Sequence, residues 1–148
     1  MPLLIKKVFS AKEIQQCMDI RNQIFVKGQN VPISEEVDGN DEDSEHYLLL
    51  IDEQPAGVAR VRFMGNFAKI ERLAILDKYQ GKGFGKKLMQ KILLDLLNNE
   101  VVTVAKLSSQ THAIPFYEKL GFVVCSEEYM DANIPHKEMQ LNFNPLHS

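Results

Sequence analysis

The sequence predicts one mixed α/β domain, with elements in the order strand, helix, three strands, helix, strand, helix, two strands. Three observations carry that reading. Apolar runs of strand length recur between turn signals, two longer segments switch to helical periodicity, and a glycine-rich loop joins one strand to one helix. At 148 residues the chain has the length of one ordinary domain with a full core, and no linker or internal repeat divides it, so a single domain spans 1–148.

"LLIKKVF" (3–9) reads as the first strand. From Ala11 to Val26 the pattern is helical: Ile14, Cys17, Met18, Ile24 and Phe25 fall on one stripe. Arg21 lies on that stripe, which is unusual for a charged residue. It has two readings: a stem packed with its head paired, or a site residue facing a pocket. Residues 28–45 have no periodicity and are strongly acidic, with Glu35, Glu36, Asp38, Asp41, Glu42, Asp43 and Glu45 and no basic residue. They read as a solvated loop or as an acidic rim for a cationic substrate. "HYLLLID" and "AGVARVRFM", separated by "EQP", predict a hairpin, and "AKIERLAIL" (68–76) a third strand. From Gly83 to Leu97, Leu88, Met89, Ile92, Leu93 and Leu96 share one helix face, with charged and polar residues opposite. "VVTVAKL" (101–107) is a strand, and "HAIPFYEKLGF" a short helix with Pro115 in its first turn and Gly121 as its stop. "FVVCSE" and "HKEMQLNF" are predicted as the closing strands.

Composition excludes several function classes. A net charge of -3 does not suit a general nucleic-acid binder, which would normally be basic. The start "MPLLIKKVFS" is too quickly charged for a signal peptide, and no apolar run approaches membrane length, so a cytoplasmic protein is expected. Cys17 and Cys125 show no paired spacing and read as reduced core residues. His46, His112, His136 and His147 have no ligand spacing, so no metal is expected.

The most informative stretch is "YQGKGFGKKLM" (79–89). A P-loop is excluded because the position five before Gly85 is Gln80, and Lys87 stands where Ser or Thr is required. A dinucleotide fingerprint is excluded because the third glycine after Gly81 and Gly83 would fall at Lys86. What remains is a strand, a tight loop and a helix N-terminus, which together offer backbone donors and about half a positive charge. Lys78, Lys82, Lys86, Lys87 and Lys91 cluster there in an otherwise acidic chain, which suits a polyanionic ligand.

"QGKGFG" fits [QR]xxGx[GA], and with "IERLAIL" before it and "FYEKLGF" after it the chain resembles the GNAT N-acetyltransferase superfamily. "RNQIFVKGQNVPISEEVDGND", "SEHYLLL", "SSQTHAIPFYEKLGF" and "NIPHKEM" extend the resemblance nearly end to end and point to the YjcF/ElaA-like bacterial subgroup. The resemblance implies the GNAT acyl-CoA N-acyltransferase fold with acetyl-CoA as cosubstrate. Its pyrophosphate would lie on Gln80, Gly81, Lys82, Gly83, Phe84, Gly85 and Lys86, and its arm along Leu73, Ala74 and Ile75 and beside Gln110 and Phe116. It further implies Tyr117 as the acid that protonates the leaving thiolate and Glu71 as the base. Glu71 also has a structural reading, as a carboxylate paired with Arg60, Arg62 or Arg72. Arg21, Glu35, Glu36, His112 and His136 are candidates for the acceptor side. The expected reaction is acetyl transfer to a primary amine, on a small molecule or a protein, by direct attack in a ternary complex. No nucleic acid or membrane partner is expected, and a homodimer is left open. A binding module that keeps the fold without turnover is the alternative.

Overall fold

One twisted sheet organises the molecule. The computed structural model describes residues 2–31 and 33–143, with the backbone alone for Ser34 and Glu35. Its strands are β1 (Leu3–Val8), β2 (Glu45–Ile51), β3 (Gln54–Met64), β4 (Phe67–Ile75), β5 (Val104–Gln110), β6 (Val123–Val124), β7 (Tyr129–Asp131) and β8 (Ile134–Asn142). Its helices are α1 (Ala11–Arg21), α2 (Ile33–Glu36), α3 (Phe84–Leu97) and α4 (Ile114–Glu118). The sheet order is β1-β2-β3-β4-β5-β8, with β6 and β7 both paired along the far edge of β8. The pairing of β4 with β5 is parallel and every other pairing is antiparallel.

The two faces of the sheet are covered separately. Leu48 and Val58 turn toward Cys17 and Ile20 of α1, while their neighbours Leu49 and Ala59 turn toward Leu88, Met89, Ile92 and Leu96 of α3. Each fully buried aliphatic side chain of this kind stabilises the fold by about 1.5–3 kcal/mol. On β4 the alternation changes parity: Ala68 and Ile70 belong to the α3 side, but Ala74 belongs to the α1 side. The cause is a bulge. Arg60 pairs with Glu71 and Val58 with Ala74, so three steps on β4 oppose two on β3, and Arg72 takes a positive φ of 56°.

Four sequence expectations need correction. The helix expected over 11–26 is α-helical only to Arg21, and Asn22–Gly28 continue as a wider π-helical turn. A third closing strand, β7, was not predicted, because three residues are too few to display alternation. The acidic segment holds the short helix α2 rather than loop alone. Cys17 is buried as expected, but Cys125 is exposed. His147 lies outside the described residues.

Candidate active site

The site begins where two strands part. β4 and β5 pair from Phe67–Val104 to Ile70–Leu107 and then separate, although β4 runs on to Ile75 and β5 to Gln110. Past that point, among the described residues, β5 pairs only with β8, and residues 71–75 of β4 have no strand neighbour on that side. The bulge at Arg72 bends β4 at the point of separation. A cleft of about 970 Å³ opens there, within the usual range for a small-molecule or cofactor site.

One end of the cleft is the start of α3. Gly81 and Gly83 have φ of 76° and 84°, which only glycine adopts without strain. A Cβ added at either would meet nothing within 4 Å, so the space beside these backbone groups is open. Gly83 is the N-cap and has no side chain to satisfy the first turn, which holds no acidic residue and carries Lys86 and Lys87 instead. The contrast with α1 is informative: there Ser10 accepts from the Glu13 N–H and an acidic residue occupies the first turn. The α3 terminus therefore keeps free donors and unbalanced positive charge, the conditions for binding an anion. The Gln80 amide donates to the Ile75 carbonyl (2.9 Å) and Asp77 Oδ1 (3.3 Å), tying the loop back to the end of β4. Gly85 differs from them: its backbone has no positive φ, and a Cβ there would meet the Phe116 ring at an ordinary contact distance of 3.6 Å.

Most sequence-predicted residues meet at this cleft. Leu73, Ala74, Ile75, Gln80, Gly81, Gly83, Phe84, Gly85, Lys86, Gln110 and Phe116 line it, as do Glu71, Glu36, His112, His136 and Tyr117. Lys82 is not part of its wall. Tyr117 comes from α4, its ring set edge-on between Phe116 (5.0 Å) and Phe122 (6.1 Å). Burial pushes its hydroxyl up to about 12, so it remains a proton donor at any ordinary pH. Its hydroxyl has no hydrogen-bond partner among the described residues. The Gln110 amide donates to Gln29 Oε1 (3.0 Å), joining β5 to the residue that follows the π-helical turn.

Arg21, Glu36 and Glu71 belong to a buried ion-pair network, in which Arg21 and Glu71 are paired as their structural readings expected. Arg21 is 1% exposed, absent from the cleft wall, and donates to Glu36 (2.6 Å) and Asp41 (2.7 Å). Arg60, fully buried, donates to Asp38 (2.8 Å), Asp41 (3.0 Å) and Glu71 (2.8 Å). Arg62 adds a second, two-pronged grip on Glu71 (2.6 and 3.1 Å), and Arg72 reaches Glu36 (2.7 Å). Four guanidiniums thus meet four carboxylates drawn from α1, β3, β4 and the acidic segment. Burial alone would raise Glu71, but Arg62 and Arg60 prevail and hold it below the ordinary carboxylate range. Asp38 is held well below by Arg60. The acidic segment is therefore neither a solvated loop throughout nor a free rim, since Glu36, Asp38 and Asp41 point inward to arginines. The Glu35 side chain lies outside what the structure describes.

Across the cleft mouth stand residues the sequence did not single out. Ser108 of β5, Tyr129 of β7 and Glu138 of β8 all line it, with the Tyr129 hydroxyl between the Ser108 hydroxyl and Glu138 Oε1 (3.0 Å). No motif links positions so far apart, and only the pairing of β8 with both β5 and β7 brings them together. His136 is 8% exposed, stacks on the Tyr129 ring (6.0 Å) and bonds through Nδ1 to the Ile134 carbonyl (2.6 Å). A carbonyl only accepts, so Nδ1 carries the proton.

Comparison with known proteins places this geometry. Residues 8–143 match the family described as "Acetyltransferase (GNAT) domain". The N-acetyltransferase YjcF of Bacillus subtilis, itself uncharacterised, is 38% identical over 137 residues, covering 90% of this chain and 97% of the relative. An acyl-CoA N-acyltransferase from Pseudomonas aeruginosa superposes with a TM-score of 0.84 at 28% identity, over 95% of this chain and 98% of that one. Escherichia coli ElaA superposes with a TM-score of 0.87 at 23% identity, over 95% and 100%. With a family match across nearly its whole length, an eight-stranded mixed sheet that parts between β4 and β5, and these relatives, the chain belongs to the GNAT acetyltransferase family, in its YjcF/ElaA-like subgroup.

Proposed function

We propose that the protein transfers an acetyl group from acetyl-CoA to a primary amine, by direct attack within a ternary complex and without an acyl-enzyme. One observation carries the reading most: the uncapped, lysine-flanked start of α3 opens onto the same cleft as the parted strands and Tyr117. The residues fit the cosubstrate. The open space at Gly81 and Gly83 admits a pyrophosphate against the first-turn N–H groups, with Lys86 beside it. The unpaired side of residues 71–75 offers backbone groups to an extended amide-bearing arm, as a strand edge does.

When bound, acetyl-CoA supplies the activated acyl carbon. The chain supplies position and protons. Backbone N–H groups of Leu73–Ile75 would face a carbonyl oxygen laid in the gap and stabilise negative charge there. Tyr117, protonated and without a competing partner among the described residues, would give a proton to the departing sulfur. His112 and His136 border the acceptor side. The acceptor is a small molecule or a protein carrying an amine. Because acetyl-CoA is made and used there, the reaction belongs in the cytoplasm.

Titration calorimetry with acetyl-CoA tests the first half, and thiol release over a panel of primary amines the second. Binding without release by any amine would leave an acyl-CoA-binding module. Absence of binding would remove the reading.

A further inference from the structure

We propose that the proton of the incoming ammonium leaves through Ser108, Tyr129 and Glu138, a relay across β5, β7 and β8, rather than through Glu71; this rests on the N-acetyltransfer reading above. The direction of the relay follows from its end. An ionised carboxylate only accepts, so the Tyr129 O–H donates to Glu138 (3.0 Å). That leaves the Tyr129 oxygen to accept from the Ser108 hydroxyl, its second neighbour. With its own proton committed, Ser108 Oγ presents lone pairs to the cleft. All the hydrogens point toward Glu138, and the open acceptor lies at the cleft end.

Ser108 is also in the right place. It follows Leu107, the last β5 residue paired with β4, so it stands at the point where the strands part. Lys69 and Lys106 are paired across β4 and β5, which puts Glu71 and Ser108, two residues on, along opposite lips of the gap. The two lips differ in chemistry. Both oxygens of Glu71 are taken by guanidinium N–H groups of Arg60 and Arg62. Among the described residues Glu138 has no arginine partner: besides Tyr129 its carboxylate has only Lys69 Nζ at 4.0 Å, and its side chain is 35% exposed, open to solvent for releasing a proton. His136 stacks on Tyr129 and holds the ring in line.

The protons balance as follows. The ammonium gives one proton to Ser108 as Ser108 passes its own to Tyr129 and Tyr129 its own to Glu138. The neutral nitrogen then forms the C–N bond, the C–S bond breaks, and Tyr117 protonates the sulfur. The second proton lost from nitrogen restores Tyr117, and Glu138 releases the first to water. Ser108 is the catalytic residue here, and Tyr129 and Glu138 act through it.

The test compares two probe amines under saturating acetyl-CoA: n-butylamine, an ammonium at neutral pH, and 2,2,2-trifluoroethylamine, which is already neutral there. Tyr129→Phe keeps the stacked ring and removes only the hydroxyl. With n-butylamine, kcat/KM should fall by roughly 10²-fold, the scale of a positioned proton acceptor. With trifluoroethylamine it should fall less than about threefold, since no proton needs removing before attack. Glu138→Gln and Ser108→Ala should show the same selectivity. Equal losses with both amines would overturn the relay, because a merely structural change cannot sense amine basicity. Release of thiol in the wild type by no primary amine of the panel, these two included, would remove the N-acetyltransfer reading, and the relay with it.

Discussion

Replacing Arg60 by methionine tests whether the buried ion network is structural. Arg60 is fully buried and binds Asp38, Asp41 and Glu71, whose side chains are 26%, 22% and 11% exposed. Methionine keeps much of the stem volume but leaves three carboxylates facing a site without its cation. Breaking a buried pair from one side costs about 3–5 kcal/mol. Two of the three carboxylates are about a quarter exposed and can recover water, so we expect the lower end, about 3 kcal/mol. For a domain of this size that lowers the thermal midpoint by about 6–12 °C. The pH dependence should change as well. Asp38, Asp41 and Glu71 are held below their ordinary values when folded. Their contribution is therefore complete above about pH 4–5, where the unfolded groups are ionised, and is lost as pH falls through the folded values. Urea unfolding from pH 7 down to pH 3 should show a steep acid loss in the wild type and a shallower one in Arg60→Met. A variant within 1 kcal/mol of the wild type at pH 7, with an unchanged acid slope, would refute the network as a source of stability.

Three further outcomes follow from the cleft. Gly83→Glu should fold, losing about 1–2 kcal/mol to left-handed strain, because its Cβ meets nothing within 4 Å; acetyl-CoA affinity by calorimetry should vanish, and an unchanged affinity would move the cosubstrate elsewhere. Tyr117→Phe should retain acetyl-CoA affinity while kcat falls by roughly 10²-fold, and since the wild-type hydroxyl sits up at about 12, the wild type should show no alkaline loss of kcat from this group up to pH 10. Glu71→Gln should behave as a stability variant, lowering the thermal midpoint and slowing n-butylamine and trifluoroethylamine alike; a defect confined to n-butylamine would return the base to Glu71.

What could be read from sequence was whatever a local rule demands. Gly81 and Gly83 announce a positive φ and an open approach, and the Leu88–Leu96 stripe announces the buried face of α3. Arg21 announced itself as an anomaly on an apolar stripe, yet its partners stand fifteen and twenty residues away in the acidic segment. The arginines and the acidic run were each visible, and what no local rule states is that they pair with one another. Partner choice depends on register. The tight turn between β3 and β4 sets the register that runs unbroken from Met64–Phe67 to Arg60–Glu71, and so seats Glu71 opposite Arg60, within reach of Arg62. The bulge at Arg72, a positive-φ arginine that no propensity anticipates, shifts the register only beyond that pair and sends Ala74 to the α1 side instead of the α3 side. On the opposite lip, β7 is only three residues long, so Tyr129 carries no strand signature of its own. The residue whose type suggests a base is therefore held by cations, and the groups free to move a proton stand where only tertiary pairing assembles them.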